Sequence, residues 1–156
     1  MNDIRRKFLK SAAGLGGIAA AIGTGLLMPQ RAFAAYLEDA FHATDVSAAL
    51  IGAEGSDQHT PSDQIKLKAP DIAENGAVVP VTVSSTLPNV ESISIIATEN
   101  PSPLAASFQL SAMSEAYVST RIKMGKTSNV IAVVKSDGKL YSATQEVKVT
   151  IGGCGG

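Results

Sequence analysis

From Gln64 to Ile151 apolar side chains recur at every second position, and turn-forming residues cut the pattern into short runs. A period of two puts one set of side chains on each face of an extended chain, so this stretch is committed to strands. The runs fall at Gln64–Lys68, Ala77–Ser84, Ser92–Thr98, Ser107–Ser111, Ala116–Met124, Asn129–Lys135 and Lys139–Ile151. In the last run Val147, Val149 and Ile151 point one way while Lys148 and Thr150 point the other. The breaks are Glu74-Asn75-Gly76, Leu87-Pro88-Asn89, Asn100-Pro101-Ser102-Pro103, Gly125-Lys126 and Asp137-Gly138, all rich in residues that favour turns. Asp137-Gly138 between two alternating runs predicts a tight hairpin. Pro80 has no N–H for a ladder, so its strand is expected at an edge or a bulge.

About seven short strands with no long helix between them predict a mainly β domain, an antiparallel β-sandwich of immunoglobulin-like architecture. The Cys…Trp…Cys core mark of antibody domains is absent, because the chain has one Cys and no Trp. Ahead of the strands, Leu37, Ala40 and Phe41, then Val46, Ala49 and Leu50, repeat at helical spacing. They predict a helical lead-in over 36–53, with Thr44 or Asp45 capping its second part and Gly52 ending it. Residues 52–62 read as a polar loop. The 156 residues suit one domain, placed at 35–151.

The first 34 residues read as an address rather than as fold. Arg5-Arg6-Lys7-Phe8-Leu9-Lys10 is followed by an apolar stretch from Ser11 to Met28 and by Ala32-Phe33-Ala34. Charged region, apolar region and small residues in that order form a cleavable export signal, with cleavage expected between Ala34 and Ala35. The Arg pair resembles a twin-arginine leader, although Ile4 stands where Ser or Thr is usual. Five glycines in the apolar stretch argue against a membrane anchor, so no membrane is expected for the mature form. Export by that route implies a chain folded before transport and a mature protein in the periplasm. In an oxidising compartment an unpaired Cys stands out.

Composition narrows the chemistry. Lys and Arg number 13 against 14 Asp and Glu, for a net charge of −1, so nucleic acid is not an expected partner. Two His and one Cys fall short of a structural zinc site, and no metal or other cofactor is expected. His42 sits in the predicted helix. His59 lies near Asp57 and Asp63 without a second His. Ser84-Ser85-Thr86 lack a nearby base, so a hydrolase lacks its parts. Lys66 and Lys68 alternate with Ile65 and Leu67 as a solvated strand face. None of this is an enzyme's inventory.

The remaining signal is the ending, Gly152-Gly153-Cys154-Gly155-Gly156. The last strand stops at Ile151, and glycine offers no side-chain contacts and the greatest backbone freedom. Gly152, Gly153, Gly155 and Gly156 are therefore expected to form a flexible arm that carries the Cys154 sulfur roughly 10 Å from the body. An ordinary thiol is only a few per cent ionised at neutral pH, and the arm contains no cation to change that. Cys154 is expected to react only where a partner supplies the charge.

The GGCGG ending, the twin-arginine leader and two internal segments together resemble the SoxY family, the sulfur-binding subunits of the SoxYZ carrier in thiosulfate oxidation. The segments are Lys68-Ala69-Pro70-Asp71-Ile72-Ala73-Glu74-Asn75-Gly76-Ala77-Val78-Val79-Pro80-Val81 and Glu99-Asn100-Pro101-Ser102-Pro103-Leu104-Ala105. The resemblance implies an immunoglobulin-like sandwich paired with a SoxZ-like subunit. It further implies a c-type cytochrome that loads thiosulfate onto Cys154 and a hydrolase that releases sulfate, the chain itself being a carrier and not an enzyme.

Two other readings remain open at this stage. An exported β-sandwich interaction module would use Cys154 as an intermolecular disulfide tether. A carrier of the ubiquitin-like kind would use the carboxylate of Gly156. A partner face is expected on a strand rich in Val and Ile, such as Val130–Val134.

Overall fold

The structure, a computed structural model, describes residues 31–150, with side chains from residue 37 onward. The chain divides between Ala34 and Ala35, and all the described strands lie in the second unit. Two helices, α1 (Arg31–His42) and α2 (Val46–Glu54), lead in. Nine strands follow among the described residues: β1 (His59–Pro61), β2 (Ile65–Lys68), β3 (Ile72–Ala73), β4 (Val79–Ser85), β5 (Val90–Ala97), β6 (Leu104–Gln109), β7 (Tyr117–Ile122), β8 (Ser128–Ser136) and β9 (Lys139–Val149).

The strands form two sheets. The larger runs β1-β9-β8-β5-β6 with β3 added to the end of β9, and the smaller runs β2-β4-β7. Their inner faces meet in one core, in which Val79, Val81 and Val83 of β4 oppose Ile93, Ile95 and Ala97 of β5 and Val130, Ala132 and Val134 of β8. Each fully buried aliphatic side chain contributes about 1.5–3 kcal/mol, so this interior dominates stability. The mainly β sandwich expected from the alternation is the observed fold. All seven predicted strands are present with ends shifted by a few residues, and β1 and β3 are additional. Both pair parallel with β9, a departure from an all-antiparallel sandwich. They are three and two residues long, too short to show a period.

A third layer covers the outer face of the larger sheet. Ala40 of α1 and Ala49 and Leu50 of α2 pack on Ile96, Leu104, Val133 and Leu140. Strands β5 and β8 are thus buried on both faces, which corrects the expectation of a partner face at Val130–Val134: Val130, Ala132, Val133 and Val134 are all fully buried. The helices themselves follow local rules. Asp45 is the N-cap of α2, its carboxylate accepting the Ala48 N–H at 3.0 Å. Gly52 does not end the helix as expected. It lies inside α2, where a Cβ would come within 2.7 Å of Ala40 Cβ, so its bareness lets α1 and α2 touch. The stop is Gly55, in the left-handed region at φ 85°.

Two turn expectations hold for stated reasons. Asp137 and Gly138 both have positive φ, 48° and 71°, the backbone of a primed hairpin turn joining β8 to β9. Pro80 lies in β4, the middle strand of the smaller sheet, rather than in an edge strand. The ladder from β4 to β2 covers only Thr82–Ser85, whereas that to β7 starts at Val79. At Pro80 the strand is therefore locally an edge, and no β2 partner misses an N–H.

Candidate functional site

The site is built around the end of β9, because Cys154 follows Val149 by five positions. Cys154 and its neighbours Gly152, Gly153, Gly155 and Gly156 lie outside the described residues. What is described is the mount from which they leave. Three segments hold it. Lys148 N–H donates to Asp71 O at 2.9 Å and Thr150 N–H to Ala73 O at 3.1 Å. On the other side Val149 N–H donates to Thr127 Oγ1 at 2.9 Å. Below, a Cβ at Gly76 would lie 2.3 Å from Met124 O and 2.9 Å from Val149 Cγ1, while Met124 N–H donates to Gly76 O at 2.7 Å. The body of the protein thus grips its chain up to Thr150.

Beside this mount, the turn Asn100-Pro101-Ser102-Pro103 folds against the approach to β8. Asn100 bridges them: its Nδ2 donates to Lys123 O at 2.6 Å and its Oδ1 accepts the Gly125 N–H at 3.0 Å. Ala97 N–H donates to Pro103 O at 2.8 Å and closes the loop. The result is an open cleft of about 470 Å³ lined by Asn100, Pro101, Ser102, Leu104, Ala105, Lys123 and Gly125. The only ion pair among the described residues, Lys126 with Glu99 at 4.0 Å, lies exposed nearby and adds little to stability.

The histidines lie elsewhere. His42 is exposed at the end of α1. His59 Nδ1 is 2.9 Å from Ser142 Oγ, a contact between distant residues that no local sequence pattern announces. It makes no nucleophile, because Ser142 is buried at 2% exposure. His59 pairs with Leu140, so the nine strand residues to Val149 separate it from the mount by roughly 30 Å. Asp57 is held below the usual carboxylate range first by the Ser47 hydroxyl, then by the Gln58 amide. Among the described residues no three His, Cys, Asp or Glu gather as a metal would need. Lys66 and Lys68 are exposed, as their alternation indicated.

A buried polar cluster went unread in the sequence. Glu54, 5% exposed, accepts hydrogen bonds from the Ser92 and Ser94 hydroxyls. Lys135 Nζ donates to the Glu54 carbonyl at 3.1 Å, and Ser94 is also bonded to Ser107 at 3.0 Å. The available signal was Ser92, Ser94 and Ile96 sharing the face opposite Ile93, Ile95 and Ala97. It marks β5 as buried on both sides. No buried polar side-chain atom lacks a partner among the described residues.

Comparison with known proteins gives the family. The family described as sulfur oxidation protein SoxY matches residues 49–154, more than half the chain, and the match runs through Cys154. The solved structure of the sulfur carrier protein SoxY from Chlorobium limicola f thiosulfatophilum is 48% identical with a TM-score of 0.60, covering 66% of this chain and 94% of that one. A superoxide reductase (neelaredoxin) from Ignicoccus hospitalis is 22% identical with a TM-score of 0.49, over 64% and 91% of the two chains. No curated protein matches the sequence. A sandwich with helical lead-in whose match ends on its one cysteine defines a sulfur-carrier protein of the sulfur-oxidation systems. The chain belongs to the SoxY family.

Proposed function

We propose that this protein carries sulfur substrates covalently on the thiol of Cys154, at the tip of a glycine arm, in the periplasm. The observation that carries the reading is the anchoring of β9 through Thr150, four residues short of Cys154. It supports the reading of Gly152, Gly153, Gly155 and Gly156 as an arm about Cys154 by giving that arm a braced base. The export leader of residues 1–34 supplies the compartment.

The chemistry follows from balance. Joining the Cys154 thiolate to thiosulfate forms an S–S bond and removes two electrons, giving Cys–S–S–SO3−. The chain has no C-x-x-C-H motif and no second Cys, so a c-type cytochrome partner takes the electrons. Water then displaces the terminal sulfur group as sulfate plus a proton, leaving the persulfide Cys–S–SH; a hydrolase partner performs this step. A SoxZ-like subunit completes the carrier as a heterodimer. The β-sandwich holds and presents, and the reactions belong to the partners.

Intact-mass analysis of protein recovered from thiosulfate-grown cells tests the proposal. Expected are additions of whole sulfur atoms and of sulfonate groups, all lost in Cys154→Ser. Pure protein with thiosulfate and no electron acceptor is expected to gain no mass. Quantitative disulfide linkage to a defined protein would instead favour the tether, and loading retained by Cys154→Ser would point to the Gly156 carboxylate.

A further inference from the structure

The helices cover the outer side of the larger sheet, and the outer side of the smaller sheet, β2-β4-β7, has no such layer. Its side chains come from every second position. The register sets Lys66, Ser84 and Tyr117 in one row, Lys68, Thr82 and Ser119 in the next, and Pro80 with Arg121 in the third. Lys66, Lys68, Tyr117 and Arg121 are all exposed. Three cations thus share a face whose rows hold no Asp or Glu. None of the three belongs to the one ion pair among the described residues. Of the carboxylates nearest in sequence, Asp63 and Glu115 precede the first row, and Asp71 turns to Gln145 of β9 at 3.3 Å.

This concentration runs against the rest of the chain. Residues 35–156 hold eight Lys and Arg against thirteen Asp and Glu, so a body of net negative charge carries one basic face. Such a body is repelled by an anionic lipid surface, and the face offers Tyr117 alone as a large apolar side chain to enter one. A protein surface of clustered carboxylates fits better. Arg121 can grip a carboxylate with two parallel N–H bonds, and Tyr and Arg are the side chains that most often carry binding energy at interfaces. Lys66 and Lys68 add charge that steers the approach. Three strands of about six residues span roughly 14 by 20 Å, well under the ~800 Å² that each partner buries in a standard interface. A face of that size holds a visitor briefly. We propose that the outer face of β2-β4-β7 is a docking surface for a partner protein that presents clustered carboxylates, bound transiently and steered by charge.

The proposal does not depend on Cys154, which is blocked with iodoacetamide for the test. Short poly-L-glutamate is titrated into the blocked protein at low and at physiological salt and followed by amide NMR. The amides of Lys66, Lys68, Tyr117 and Arg121 are expected to shift, and the affinity to fall as salt rises. Lys68→Glu combined with Arg121→Glu should weaken binding about 2- to 30-fold, the span for two exposed pairs. Lys139→Glu combined with Lys148→Glu makes the same change of charge elsewhere and should weaken it by about twofold at most. In intact cells a water-soluble carbodiimide should join Lys66 or Lys68 to an Asp or Glu of another protein through an amide bond, releasing a urea. Mass spectrometry of the cross-linked peptide then names both residues. Shifts spread equally over Lys139 and Lys148, equal loss in the two double variants, or cross-links that spare Lys66 and Lys68 would each overturn the proposal. So would phosphatidylglycerol vesicles that move the same amides as strongly, because the occupant would then be lipid.

Discussion

Gly76→Ala tests whether the grip on β9 is as tight as the contacts imply. The added methyl would sit 2.3 Å from Met124 O and 2.9 Å from Val149 Cγ1. A carbon–oxygen contact needs about 3.3 Å, so something must yield by about 1 Å. Neither neighbour yields easily. Met124 O is backbone, and the same two residues are clasped by Met124 N–H to Gly76 O at 2.7 Å. Overpacking of this kind costs about 1–3 kcal/mol, and losing the clasp adds about 1 kcal/mol. The sum is about 2–4 kcal/mol, or a Tm lower by roughly 8–16 °C for a domain of this size. Urea and thermal unfolding followed by circular dichroism measure it. Amide exchange at Val149 and Thr150 should also accelerate, because the displaced turn underlies them. Gly125→Ala is the control: its nearest new contact is Asn100 Oδ1 at 3.9 Å, and it should stay within about 0.5 kcal/mol of the native chain. A Gly76→Ala loss as small as the control's would refute the reasoning.

Glu54→Ala should destabilise by about 2–4 kcal/mol in urea unfolding, because it strands the Ser92 hydroxyl and opens space under α2. Glu54→Gln, which keeps an acceptor of similar size, should lose about half as much. The Asp57 carboxyl titrates below its ordinary value chiefly through the Ser47 hydroxyl. A lowered folded pKa gives stability that is present above the unfolded value and lost as pH falls through the folded one. The stability gap between the native chain and Ser47→Ala should therefore be full at neutral pH and close progressively in acid. A gap that widens on acidification would contradict the assignment.

The sandwich was legible because its inner faces obey the period of two: Val79, Val81 and Val83 alternate with Pro80, Thr82 and Ser84 on β4. Where both faces are buried, alternation disappears, and the run Ile93–Ala97 hid which face met the helices. The same blindness sent the expected partner face to Val130–Val134, since a sequence shows that a strand is apolar without showing how many layers cover it. The ends of α2 were misjudged at Gly52 because a glycine required by a close neighbour and one required by backbone twist look alike in sequence. Glu54 and its serines meet across 38 and 40 positions, and His59 meets Ser142 across 83. No local rule reaches that far. The ending with Cys154 was legible for the opposite reason: four glycines about one thiol need no tertiary context to be noticed.

If Cys154 carries the sulfur as proposed, the bond from Thr150 N–H to Ala73 O sets a gauge for the partners. Cys154 follows Thr150 by four positions, a span of at most about 14 Å for an extended chain. On the proposed function, an enzyme working on sulfur held by Cys154 would keep its reacting centre no deeper than that below its own rim. A loading enzyme with a deeper shaft would need a carrier with a longer stem, and inserting two glycines before Gly152 would lengthen this one by about 7 Å.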